Sequence, residues 1–263
     1  MAHYLRDERI TNVTINADSL KQISEVFIER ETSLNINNID NSNNKKAFIS
    51  WIIRFDNKGY RVFDLNDLLR YFNTSKDIER VIITIETTES LSSGRQIGTY
   101  SELRLDRNDQ NSCLLTVSSD DKDWVDATFS AVNDVVTKSK NKNGWARSAW
   151  TQFGVQIIGV TFGFIISLWA ASIIAPRLSI ENPYVISFFF ILLIFSNTWT
   201  YLNKRILWIL DHTFPNLKFH RKDKERLQWL LQAIVGGIVV AIVIFALSKV
   251  ITFLVNILSG IVR

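Results

Sequence analysis

Apolar residues follow two rhythms along this chain. Through residue 137 they alternate with polar ones or recur at helical spacing, while beyond it they gather into long runs. The segments 150–175, 183–203 and 227–248 contain no charged residue. Each reaches the roughly 20 residues that an α-helix needs to cross a bilayer at about 1.5 Å rise per residue. The pattern therefore predicts three transmembrane helices. After Lys249 the chain stays largely apolar, but Ala241, Ser248, Lys249, Thr252, Asn256, Ser259 and Arg263 fall in one sector about 100° wide on a helical wheel. That stripe predicts an amphipathic helix over 249–263.

The first 137 residues predict a folded α+β domain in the order β-α-β-β-α-β-β-β-α. Residues 9–16 read as a strand, followed by a helix that a capping box at Ser19 and Gln22 would start. An Asn-rich loop is expected over 34–44. The β-branched and aromatic run 47–55 then turns through Asp56-Asn57-Lys58-Gly59 into a return strand over 60–63. Asp64 is placed to cap a helix bearing Leu65, Leu68, Leu69 and Phe72. Strands are expected at 81–85, 100–105 and 112–117. Asp120 or Asp121 would cap a helix with Trp124, Val125, Phe129, Val132, Val135 and Val136 on one stripe. A basic juxtamembrane helix over 138–149 is expected to carry this domain into a membrane module at 150–263.

Charge divides at the same place. Residues 1–137 hold 16 Lys/Arg and 22 Asp/Glu, whereas 138–263 hold 14 and 4. The excess positive charge sits beside the spans, where it meets anionic lipid, and not on the head, so nucleic acid is not an expected partner. Basic residues also set orientation. Lys138, Lys140, Lys142 and Arg147 precede the first span. Lys204, Arg205, Lys218, Arg221, Lys222, Lys224 and Arg226 lie between the second and third, and the loop 176–182 has only Arg177. This predicts a plasma (inner) membrane protein with a cytoplasmic head and an external C-terminus. The single cysteine, Cys113, allows no internal disulfide and fits a cytosolic head. Residues 1–10 have no apolar core, so no cleavable signal peptide is expected.

Signals for chemistry are sparse. The three histidines, His3, His212 and His220, make no metal-ligand spacing with the one cysteine, and no metal or cofactor is expected. Without His3, which reads as a frayed terminus, the head holds no Ser/His/Asp set. Ser93-Gly94-Arg95 lies in a loop that superficially resembles a phosphate cradle, but lacks the Gly-Lys-Ser/Thr ending. It is the candidate for a small anionic ligand. Lys218, Arg221, Lys222, Lys224 and Arg226 are candidate lipid contacts. Gly159, Gly163, Gly237 and Ala241 offer close-packing helix faces, and Lys249, Thr252, Asn256 and Ser259 a polar face that could line a pore in a homo-oligomer. The leading expectation is a membrane-anchored, non-enzymatic protein whose head binds a ligand or protein partner. The alternatives are a sensor-effector that oligomerises and permeabilises the membrane, an architecture known from bacterial defence effectors, and a membrane-bound enzyme with an unfamiliar site.

Overall fold

A computed structural model describes residues 3–37 and 46–220, with Leu230, Ala233, Ile234, Gly236, Gly237, Ala241 and Ser248 beyond them. The chain forms two units, Met1–Arg221 and Lys222–Arg263. In the second unit the described residues are helical. The expected third span and the amphipathic segment 249–263 otherwise lie outside the described residues.

The first unit is a mixed α+β head followed by two long helices. Its elements are β1 (Tyr4–Arg9), β2 (Val13–Ile15), α1 (Ala17–Asn37), β3 (Ala47–Phe55), β4 (Lys58–Val62), α2 (Leu65–Thr74) and β5 (Ile78–Thr87). They continue with α3 (Thr88–Ser92), β6 (Tyr100–Asp106), β7 (Leu114–Ser119), α4 (Lys122–Lys138), α5 (Ala149–Ile174), α6 (Pro183–Thr213) and β8 (Leu217–Phe219). Six strands form an antiparallel sheet in the order β1-β7-β6-β5-β3-β4. Odd-numbered positions of the central strands are buried: Trp51 and Ile53, Val81, Ile83 and Ile85, Leu103 and Leu105, Leu115 and Val117. Leu20, Ile23 and Phe27 of α1, Leu68 and Phe72 of α2, and Val125, Phe129, Val132 and Val136 of α4 fill the same core. This is the period-2 strand pattern meeting the helical stripe pattern.

The local chemistry accounts for the boundaries. Asp64 accepts a hydrogen bond from the Asn66 N–H at 3.1 Å, and Asp121 accepts from Asp123 and Trp124, so both expected caps are in place. Asp56 and Asn57, both at positive φ, form the two-residue turn between β3 and β4. That is the primed hairpin geometry, and Asn and Asp tolerate it. Gly59 falls inside β4 instead of in the turn.

Several expectations are corrected. Residues 9–16 are not one strand: Asn12, at φ 58°, separates β1 from β2. The cap of α1 is Asn16, whose Oδ1 accepts from the Ser19 N–H at 2.6 Å, in place of Ser19 itself. α1 also runs through 34–37, because Leu34 reaches the core and Asn35 bonds both the N–H and C=O of Ala47. The segment 138–149 is not a continuous helix. α4 ends at Lys138, a 3-10 turn spans Asn143–Arg147, and Ser148 caps α5.

Two helices are long and apolar enough to span a membrane, α5 with its terminal turn (Ala149–Arg177) and α6 (Pro183–Thr213). They pack on each other along Gly159, Gly163, Ser167 and Ala171, one residue per turn of α5 and all buried. Trp199 and Phe195 of α6 lie against Gly159 and Gly163, and their rings stack at 6.1 Å. A Cβ at either glycine would fall inside the facing ring. The outward surface of the pair is apolar and exposed, with Phe162, Ile165 and Trp169 on α5 and Phe190, Leu193 and Ile194 on α6.

Candidate functional site

Both feet of the α5–α6 pair are built into the head. β2 pairs in parallel with β8, Val13 facing Leu217 and Ile15 facing Phe219. Leu217 is buried in the head core, and Phe219 packs edge-on against Phe72. On the other side of β2, Thr14 N–H donates to Ser139 C=O and Asn141 N–H to Asn12 C=O. Asn216, itself buried, accepts from the Asn12 N–H through its side-chain oxygen and donates to Ile10 C=O. The chain thus leaves the head beside β2 and returns to the head beside β2.

Arg147 and Asp211 face each other at this junction. Arg147 Nε stands 2.9 Å from Asp211 Oδ1, an ion pair without hydrogen-bond alignment, and Nη2 donates to Phe214 C=O. Nη1 is enclosed and has no protein partner. Burial pulls the Arg147 pKa below that of an ordinary guanidinium, and Asp211 opposes the shift. A cavity of about 270 Å³ opens here, lined by Gln110, Ala146, Arg147, Gln152, Leu207 and Asp211. Trp145, Trp150 and Trp208, within three residues of Arg147 or Asp211 along the chain, are exposed. Sequence reasoning counted Arg147 only as a topological charge and did not single out Asp211. The available signal was that Asp211 is one of four acidic residues after position 137.

A second feature is the sheet face that α1, α2 and α4 leave uncovered. Adjacent strands align Arg9, Leu114, Arg104, Ile82, Ile52 and Arg61 in one row across it. Apolar Phe48 and Leu5 are exposed on the same face. Arg80 pairs with buried Asp106 at 2.6 Å, and Arg54 pairs with Glu79 at 2.8 Å. Arg104 Nε is enclosed without a partner.

The candidate anion loop sits at one end of this face. Gly94 and Arg95 adopt positive φ, and Arg95 pairs with both Glu86 and Glu102 beside the Tyr100 ring. The two carboxylates raise the Arg95 pKa against the opposing effect of desolvation, which is the largest single influence. Its cation is already engaged by two acids, and Ser93 Oγ donates to Ile97 C=O. The trio therefore presents no spare positive charge to an anion.

His3 is ordered. Its Nε2 lies 2.6 Å from Ser118 Oγ and its Nδ1 2.8 Å from Asp120 Oδ1. The spacing is that of an acyl-transfer triad. Ser118, however, is 1% exposed and sits on β7 between two paired strands, with Oγ also in reach of Tyr4 C=O. The arrangement fastens the start of β1 to β7 and leaves no room for a substrate carbonyl.

The remaining candidate residues divide by position. Gly159 and Gly163 lie inside the α5–α6 interface. Lys218 lies on β8 opposite Thr14. Gly237 and Ala241 are helical and exposed. Arg221, Lys222, Lys224, Arg226, Lys249, Thr252, Asn256 and Ser259 lie outside the described residues. No group of three His, Cys, Asp or Glu suited to a metal ion occurs among the described residues. Comparison with protein-family models, with curated proteins and with solved structures gave no match.

Proposed function

We propose that this chain is a membrane-anchored, non-enzymatic binding protein. Its α+β head is held against the cytoplasmic surface by the α5–α6 pair and offers the uncovered sheet face to a protein partner. One observation carries the reading. The chain enters and leaves two apolar, outward-exposed helices at the same place on the head, through Asn141 and Asn216 on either side of β2. A hairpin anchored at both feet fixes the head beside the bilayer, without the freedom of a single tether. The basic flanks favour the cytosolic side for those feet, and a third span over 227–248 would put the C-terminus outside. Mixed apolar and Arg-rich character across the uncovered face suits a protein surface more than a small ligand.

The test is topological. A reporter active only in the cytosol should be active when inserted in the Asn-rich segment 38–45 and inactive when fused after Arg263. Activity at both positions would remove the third span. Release of the full chain by alkaline carbonate would remove the anchor itself.

The sensor-effector alternative draws on fewer surfaces than the sequence suggested. Gly159 and Gly163 are occupied by Trp199 and Phe195 of the same chain. Self-association through the Gly159 and Gly163 face is therefore not available to the paired helices.

A further inference from the structure

The cavity at the feet of the hairpin has the chemistry of a zwitterion site. It joins one cation and one anion, Arg147 and Asp211, paired through Nε and Oδ1 at 2.9 Å with no aligned hydrogen bond between them. Arg147 Nη1 is enclosed with no partner, and the Asp211 side chain is half-exposed. Gln110 and Gln152 add amide donors and acceptors, and Leu207 supplies an apolar wall. The volume, about 270 Å³, lies just under the roughly 300–1,000 Å³ of pockets for drug-sized ligands, so it suits a small polar group.

Depth decides which small polar group. Trp150 lies three residues after Arg147, and Trp208 three residues before Asp211, both with exposed rings. Exposed tryptophans at the ends of apolar helices mark headgroup level. At that level the ligand present at high concentration is phospholipid. A purely anionic headgroup would satisfy Arg147 but set its phosphate against the Asp211 carboxylate. A choline headgroup carries a cation that cannot donate a hydrogen bond to that carboxylate. A primary ammonium can.

We propose that this cavity binds the phosphoethanolamine headgroup of a membrane lipid, with the phosphate on the Arg147 guanidinium and the ammonium on Asp211. The inference rests on the membrane-anchor reading and adds a specific ligand to it. Bound there, the lipid would join α5, α6 and the β6–β7 loop that carries Gln110, and so tie the head to the bilayer surface.

The experiment uses the full chain in nanodiscs of equal phosphatidylethanolamine, phosphatidylcholine and phosphatidylglycerol with matched acyl chains. Lipid retained after release is counted by native mass spectrometry. Phosphatidylethanolamine should be kept at one copy per chain and enriched about tenfold over the other two, the scale of one charge-assisted hydrogen bond. Asp211→Asn should bring that enrichment down to the phosphatidylcholine level. Gln152→Leu, which leaves the Arg147 contacts intact, should lower retention without unlatching the junction as Arg147→Gln could. Equal retention of all three lipids by the wild type, or an undiminished preference in Asp211→Asn, overturns the site. Soluble O-phosphoethanolamine should fail to displace the lipid; displacement would assign the cavity to a free phosphate ester and overturn the lipid reading. Flotation with vesicles separates the two possible failures. A chain that floats without headgroup preference loses only this site, whereas one that does not float loses the anchor.

Discussion

At the residue scale, the head spends its polar chemistry on holding itself together. Arg95 balances Glu86 and Glu102, Arg80 balances Asp106, and His3 links Ser118 to Asp120. Cys113 belongs to the same set. It is fully buried, its Sγ donates to Asp106 C=O at 3.1 Å, and burial pushes its pKa up. A raised folded-state pKa means that the thiol form is favoured by folding. The stability this confers is complete below the unfolded thiol value, about 8.5, and falls as pH rises through the folded value. Native protein should therefore react with a thiol reagent at pH 8 only as fast as it opens, and labelling should become rapid in denaturant. Fast stoichiometric labelling of the native chain would place Cys113 outside the core. Cys113 falls within the strand expected at 112–117 and alternates with Leu115 and Val117 on the buried face, although the strand itself begins one residue later, at Leu114. Arg95 illustrates the converse. Its loop could be read from Gly94 and Gly98, but its two acidic partners come from separate strands that only the sheet brings together.

At the element scale, the caps were legible because capping is local: Asp64 and Asp121 each bond within three residues. Replacing Asp121 with Ala should cost about 1 kcal/mol in the unfolding of the head, measured by denaturant titration. The end of α1 was not legible. Asn35 and Asn37 look like loop residues, yet Asn35 is consumed by β3, a contact across a sequence gap. The small-residue spacing at Gly159 and Gly163 was legible as a packing face, while its partner was not, since intramolecular and intermolecular contacts read alike in sequence. The structure puts Trp199 and Phe195 there. Gly159→Ala and Gly163→Ala should each destabilise the pair by about 1–3 kcal/mol through overpacking. Gly154→Ala has open space around it and should be neutral or slightly stabilising. Thermal unfolding of the full chain in one detergent checks all three. An equal effect at Gly154 and Gly159 would mean that the α5–α6 interface lies on another face.

At the scale of the whole molecule, the head is not a contiguous stretch of sequence. Composition drew its edge at residue 137, where charge and hydropathy change. The core, however, is completed by Leu217 and Phe219, which follow the second long helix. A three-residue strand after a long apolar helix gives no periodicity to read, so this return was invisible until β8 paired with β2. Its consequence is testable without a membrane. Asn143 Nδ2 reaches Pro215 C=O at 3.1 Å, so the two feet are adjacent. A chain in which 144–213 is replaced by a short Gly/Ser linker, ending at residue 221, should be soluble and unfold cooperatively. In that chain Leu217→Ala should cost about 2–5 kcal/mol, the range for removing a buried leucine side chain. A fragment ending at 137 should fold less stably than the linked chain, because it exposes the core surface that Leu217 covers and leaves β2 unpaired on both sides. Equal stability of the two, measured by denaturant unfolding, would make β8 an ornament on a self-sufficient head. It would also remove the argument that the hairpin is held at both feet. If the linked chain is the more stable, the head and the α5–α6 pair are joined through β2, and a force or partner acting on the head reaches those helices by that route.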